Sequence, residues 1–312
     1  MLKTALALPL LLLPMLASAS CGSAFCTINT DWDTQAPWQN DATRLDLRME
    51  YIHQDQLRSA AKKIPLSGEV SEHDEIKTIN RNLIASVSHA FSPSLSLALQ
   101  VPLVSRDHSH IFNDASAPEL ESWRFTRLGD VRVLAHMRLD AARSSSDRAY
   151  GLIGGVKFPT GPINVRNSAG EAAERSLQPG SGSTDWIVGG FVSGHLAQAG
   201  LHTQVRWQHA VRERQDYRPG DAISLDAGMM VPMGSVQALA QINLLWRGRD
   251  TGAHAEPADS GGKYVYFSPG LAVPLGKDAQ IVGLIQLPLL QNMRGAQLAA
   301  DWAATLGMTI RF

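Results

Sequence analysis

The sequence predicts an all-β fold, a membrane-spanning antiparallel up-and-down β-barrel of about 12 strands, and three observations carry that expectation. The closing stretch, Gln297–Phe312, places Trp302, Ala304, Leu306, Met308, Ile310 and Phe312 on one side and Ala303, Thr305, Gly307, Thr309 and Arg311 on the other. That period of two gives a strand one continuous apolar face. Segments of the same kind recur along the chain, each roughly nine to fifteen residues long, enough for a tilted strand to cross a bilayer. The connections between them alternate short and long, as they do where turns lie on one side of a membrane and loops on the other. A soluble sandwich has no reason to follow that rule.

Composition agrees. The chain has 312 residues, a net charge of -1 and 44% apolar content, so it lacks a nucleic-acid footprint and the apolar excess of a helical membrane protein. An alternating barrel needs no such excess. The one strongly apolar run is N-terminal: Lys3, Leu6–Leu13 and Met15–Leu16 precede Ala17-Ser18-Ala19, which reads as a secretory signal peptide over residues 1–19. Residues 20–42 then form a periplasmic segment, and 43–312 the barrel. Cys21 and Cys26, in an exported chain and with four residues between them, Gly22 and Ser23 included, read as a small disulfide loop. A lipidated Cys21 is the rival, disfavoured because Ser18 stands where a lipoprotein signal carries Leu. Thr27–Asp41, with Trp32 and Trp38, is too irregular for a strand and is either a tail or a plug.

The first barrel strand alternates Leu45, Leu47, Met49 and Tyr51 with Arg44, Asp46, Arg48 and Glu50. Its successors are expected near Ile76–Phe91, Ser94–Val104, Arg127–Leu139, Tyr150–Phe158, Asp185–Leu196, Leu201–Val211, Ala222–Val231, Val236–Trp246, Lys263–Leu275, Gln280–Leu289 and Leu298–Phe312. Short turns fall at Ser92–Ser94, Asp140–Asp147, Ala197–Ala199, Pro232–Ser235 and Gly276–Asp278. Long loops fall at Gln54–His73, Ser105–Thr126, Gly161–Ser183, Arg212–Pro219, Gly248–Gly262 and Gln291–Ala296. Tyr51, Trp123, Tyr150, Phe158, Trp186, Trp246, Tyr264, Tyr266 and Trp302 sit near strand ends and suggest interfacial girdles.

With the apolar faces toward lipid, the opposite faces line the interior, because an Arg or Lys facing acyl chains at the midplane costs about 2–4 kcal/mol. The expected lining is Asp46, Arg48, Glu50, Arg132, His136, Arg138, Asp185, Gln204, Arg206, Asn243, Arg247 and Gln286. It reads as a mixed-charge conduit with a cationic excess, or as a self-neutralising network that conducts nothing. Catalysis is not expected: Ser193 and His195 share a strand, but no recognisable third residue supports them. Asp107-His108-Ser109-His110 is placed in an external loop as a solvated turn, with no metal or other cofactor expected.

Local motifs add a family resemblance. Leu128-Gly129-Asp130, Phe158-Pro159-Thr160-Gly161, Gly180-Ser181-Gly182-Ser183-Thr184-Asp185, Gly220-Asp221 and Ser268-Pro269-Gly270 follow one another with strand-sized gaps. Together they resemble the outer-membrane family named after the meta pathway of phenol degradation, over about residues 128–312. The resemblance implies a bacterial outer-membrane, porin-like transporter for small molecules, among them hydrophobic or aromatic compounds. A structural or partner-binding barrel with a closed lumen is the alternative. The terminal Phe312 resembles the signal by which the barrel-assembly machinery recognises its clients. Expected partners are outer-membrane lipid, that machinery and a small solute, and not nucleic acid. Pro159 and Gly161 are read as ending a strand, and Gly180 and Gly182 as a mobile approach to the next.

Overall fold

The computed structural model describes residues 43–65, 73–113, 118–140 and 148–312. The expected signal peptide, the segment 20–42 with Cys21 and Cys26, and most of the 140–147 turn lie outside the described residues. The elements are β1 (Thr43–Ala60), β2 (Lys62–Lys63), β3 (His73–Ser92), β4 (Leu95–Asn113), β5 (Pro118–Leu128), β6 (Arg132–Arg138), β7 (Arg148–Lys157), β8 (Thr184–Leu196), β9 (Ala199–Arg212), β10 (Ala222–Met233), β11 (Val236–Arg247), β12 (Gly262–Leu275) and β13 (Ala279–Arg311). Among the described residues every strand pairing is antiparallel, and the sheet closes on itself where β13 meets β1 in a register running from Arg44 opposite Arg311 to Ala60 opposite Met293.

β13 is more than one pass of the wall, and β5 and β6 together make only one. β13 spans 33 residues, about 110 Å if straight, far more than the 12 to 14 residues of β10 to β12. Its first part, up to Met293, pairs with β12, whereas Met293 onward pairs with β1. The amide of Arg311 donates to the carbonyl of Asp278 at 2.8 Å, so its two ends meet, and the chain reverses at Gly295, whose φ is +62°. β13 is therefore a hairpin of two barrel strands. β5 and β6 form one broken strand: β6 pairs with Leu95–Gln100 of β4 and β5 with its far end, the break falling at Gly129–Val131. The wall thus has twelve passes, as the sequence predicts.

The apolar belt faces outward. Leu47, Met49, Leu83, Val87, Leu97, Leu99, Val133, Val188, Val205, Ile285, Leu287 and Leu306 are all exposed, and their sequence neighbours on the other face are mostly buried. A contiguous exposed apolar surface of that extent belongs against hydrocarbon. The upper edge of the belt is marked by Tyr51 and Trp302, whose rings lie 5.3 Å apart, with the Arg81 guanidinium 5.8 Å from the Tyr51 ring. Trp186, Tyr150 and Phe158 are likewise exposed. Tyr264 and Tyr266 instead point inward and are buried, and Trp123 packs on Val104, Phe125 and Leu177. Lys263–Phe267 carries large residues on both parities, which hid the true outer face.

The barrel wall has unequal height. β3 and β4, at 20 and 19 residues, rise about 60 Å along the strand, well beyond the 9–11 residues that cross a bilayer. Of the expected long loops at Gln54–His73 and Ser105–Thr126, the described residues are largely strand. Opposing polar residues there supply backbone ladders that extend β1, β3, β4 and β5 outward as a tall wall.

Candidate functional site: an in-folded loop over a polar interior

Three of the sequence motifs converge at the root of one loop, residues 158–183. Lys157, the last residue of β7, is buried with its Nζ 3.1 Å from Asp130 Oδ2, 3.1 Å from Asp185 Oδ2 and 3.1 Å from Ser183 Oγ, and it also donates to Ser181 Oγ. Asp130 Oδ1 accepts from the Gly161 amide at 3.0 Å, and its Oδ2 from the Ser181 amide at 2.9 Å. Thr160 Oγ1 donates to the Gly129 carbonyl and accepts from the Val131 amide, both at 2.9 Å. The break between β5 and β6 is therefore where the loop is fastened. Gly161 and Gly180 touch backbone to backbone: a Cβ on Gly180 would stand 2.3 Å from the Gly161 carbonyl oxygen. The glycine stretch is a locked close approach, not the mobile lead-in that its composition suggests.

From this clamp the loop folds across the inner face of the tall wall. Leu177 is fully buried against Val104, Trp123, Phe125 and Ala173. Arg106 on β4 donates to the carbonyls of Leu177 and Ser176, and its Nε to Asn80 Oδ1 at 2.8 Å. Asn80 donates to Gln54 Oε1 at 2.9 Å, and Gln54 to the Leu298 carbonyl at 3.2 Å. A polar ladder thus runs from β13 across β1, β3 and β4 into the loop. Gln178 staples the loop internally, accepting from the Val165 amide at 2.9 Å and donating to the Ala173 carbonyl at 2.7 Å.

Two further loops lock onto the first. Arg175 donates to the Ser181 carbonyl at 3.1 Å, and its guanidinium lies 5.0 Å from the Tyr217 ring. Tyr217 donates to Asp250 Oδ2 at 2.8 Å, Arg247 pairs with Asp250 at 2.9 Å, and the Gly220 amide donates to Asp250 Oδ1 at 2.8 Å. Burial, reinforced by the Asp250 carboxylate, pushes the Tyr217 phenol well above its ordinary range. Burial also raises Glu174 well above the usual carboxylate range, helped by Glu256, Glu75 and Glu121. These loops enclose a cavity of about 770 Å³ bordered by Ile163, Glu174, Arg175, Tyr217, Asp250 and Glu256.

Of the residues expected to line the interior, Asp46, Arg48, Glu50, His136, Asp185, Gln204, Asn243, Arg247 and Gln286 are buried on the face opposite the apolar belt, and Arg132, Arg138 and Arg206 on that face are half-buried. They do not form one site. Arg48 pairs with Glu50 at 3.3 Å, Asn243 donates to Asp226 at 2.6 Å, and Arg138 pairs with Asp140 at 2.8 Å near the opposite mouth. Asp185 belongs to the loop clamp and Arg247 to the Tyr217 contact. His195 is exposed at the end of β8. The interior also carries an apolar stretch below the clamp, where Ala98, Leu134, Ile153 and Ile187 are buried. Sequence reasoning passed over these because their strands are apolar on both parities.

Asp107-His108-Ser109-His110 is not the solvated external turn that its polarity suggests. It is β4 strand, and His108 and His110 are buried on its inner face beside Trp123. Burial lowers the His110 imidazole to about 4.

No protein-family model matches the chain, and no curated protein does. Among solved structures it is similar to the crystal structure of an outer membrane channel from Pseudomonas putida F1, with a TM-score of 0.67 and 15% identity over 91% of this chain and 100% of that one. It also matches the P. putida toluene transporter TodX, with a TM-score of 0.45 and 8% identity over 89% of this chain and 91% of that one. The first likeness is one of fold: this chain is built as an outer-membrane-type barrel.

Proposed function

We propose that this chain is a bacterial outer-membrane channel for small molecules, hydrophobic or aromatic compounds among them, whose external mouth is narrowed by the in-folded loop 158–183. The observation that carries the reading is that part of the interior is lined instead of packed. Arg132, Arg206, Gln208 and Ser224 face inward yet keep partial exposure, where a filled barrel would bury them. Buried charged residues are ion-paired, as Arg48 with Glu50, or hydrogen-bonded, as Asp226 with Asn243, so the path between them is polar without a single dominant charge. The channel fold of the P. putida protein and the motif resemblance support the same reading. Catalysis is no part of it, and Phe312, exposed at the end of the chain, fits delivery to the assembly machinery.

Planar-bilayer recordings test this. The purified protein should conduct in defined steps, and excision of residues 164–177 should enlarge the steps several-fold. Arg48→Glu with Arg132→Glu should turn selectivity toward cations. Silence of both the parent and the loop-excised protein would favour the closed structural barrel and end the channel reading.

A further inference from the structure

Three neighbouring strands and the in-folded loop bring two imidazoles and several carboxylates to one point above the membrane belt. Glu75 comes from β3, His108 and His110 from β4, Glu121 from β5 and Glu174 from the loop. Glu75, His108 and His110 are buried, and their ligand atoms all lie within 4.8 Å of one another. His108 Nε2 is 3.2 Å from His110 Nδ1 and 3.4 Å from Glu75 Oε2. The Glu174 Oε1 atom stands 4.0 Å from His110 Nδ1 and is buried with no hydrogen-bond partner among the described residues.

From this geometry we infer a binding site for a divalent transition metal of the zinc class, with Glu75, His108 and His110 as ligands and Glu174 completing the set. Zinc–imidazole bonds of about 2.0–2.1 Å turn the 3.2 Å nitrogen separation into an N–Zn–N angle of about 103°. The 3.4 Å nitrogen–oxygen separation gives about 112° in the same way, so the two angles bracket the tetrahedral value. Imidazole selects zinc, copper, nickel or cobalt over magnesium or calcium.

The outer ring atoms are already held as metal-bound histidines require. His108 Nδ1 is 2.8 Å from Thr78 Oγ1, and His110 Nε2 is 3.0 Å from Glu121 Oε2. Such partners fix ring orientation and tautomer. For His110, the Nε2–H donates a hydrogen bond to the Glu121 carboxylate and Nδ1 keeps its lone pair for the ion. For His108, uptake of the ion moves its proton from Nε2 to Nδ1, from which it is hydrogen-bonded to Thr78 Oγ1, and any proton on the Glu174 carboxyl is released to solvent as that group ligates. The cavity that borders Glu174 gives the ion a way in. A bound ion would add a second fastening of the loop to the tall wall, besides the Lys157 clamp. The inference does not depend on the channel reading.

The test uses the full chain, stripped with a chelator and folded in detergent. Titration with Co²⁺ should give one equivalent bound with the intense visible bands of a tetrahedral site, and Zn²⁺ should displace it. His108→Gln with His110→Gln should abolish the bands, whereas Glu121→Gln should weaken binding about 10–100-fold at unchanged stoichiometry. Cys21→Ser with Cys26→Ser should leave the titration as it was. If the histidine double variant fails to fold, judged by heat-dependent electrophoretic mobility, Glu75→Gln decides by the same titration. Absence of stoichiometric uptake by the parent, undiminished uptake by the deciding variant, or loss of uptake on removing the cysteines would each overturn the assignment.

Discussion

Replacing Lys157 with Met removes the ammonium that Asp130 and Asp185 share. At 3.1 Å and an effective dielectric of about 20, each contact is worth about 5 kcal/mol before desolvation is counted. The ammonium's own desolvation, several kcal/mol, offsets much of that sum. What remains is the penalty of leaving two carboxylates buried without their cation, about 3–5 kcal/mol. Asp130 keeps the amides of Gly161 and Ser181, so the loss should fall toward the lower end of that range. The assay is equilibrium urea unfolding of the folded barrel in lipid, run as a cycle with Asp130→Asn. Because the two side chains touch, the double variant should lose less than the sum of the singles. A Lys157→Met protein within about 1 kcal/mol of the parent, or a cycle with no coupling, would refute the clamp as described.

Other outcomes follow from the same geometry. Gly180→Ala places a Cβ against the Gly161 carbonyl oxygen, at a cost of about 1–3 kcal/mol, and should open the loop root so that limited trypsin cuts at Arg166 and Arg175; an uncut loop would show that the close approach is not needed. Leu99→Arg, on the outer face of β4 where Leu99 is 45% exposed, should cost about 2–4 kcal/mol in liposomes but much less in a water-facing loop. Asp259 Oδ1 accepts from the Ala296 amide at 2.6 Å, and burial raises its carboxyl above the ordinary value. The folded form therefore holds its proton more tightly. The stability it lends is full below the usual carboxylate range and is lost as pH rises through the raised value. Urea unfolding at stepped pH should show stability falling over that rise, and Asp259→Asn should flatten the dependence.

What the residues themselves dictate is the wall. A strand shows its two faces in strict alternation, so Trp302 to Phe312 and Leu95 to Leu103 declare which side meets lipid, and turn chemistry at Ser92–Ser94 or Gly276–Asp278 declares where the chain reverses. These signals are local, and the closed antiparallel barrel of twelve passes follows from them. What happens inside is decided by contacts between residues far apart in the chain. Lys157 meets Asp130 across 27 positions and Arg106 meets Leu177 across 71, and no periodicity records such pairings. The same is true of His108 and His110: a polar His-Ser-His run reads as a solvated turn until the tall wall and the loop cover it. Burial of a polar group is a property of the surface that closes over it, and that surface exists only once the loop has folded in.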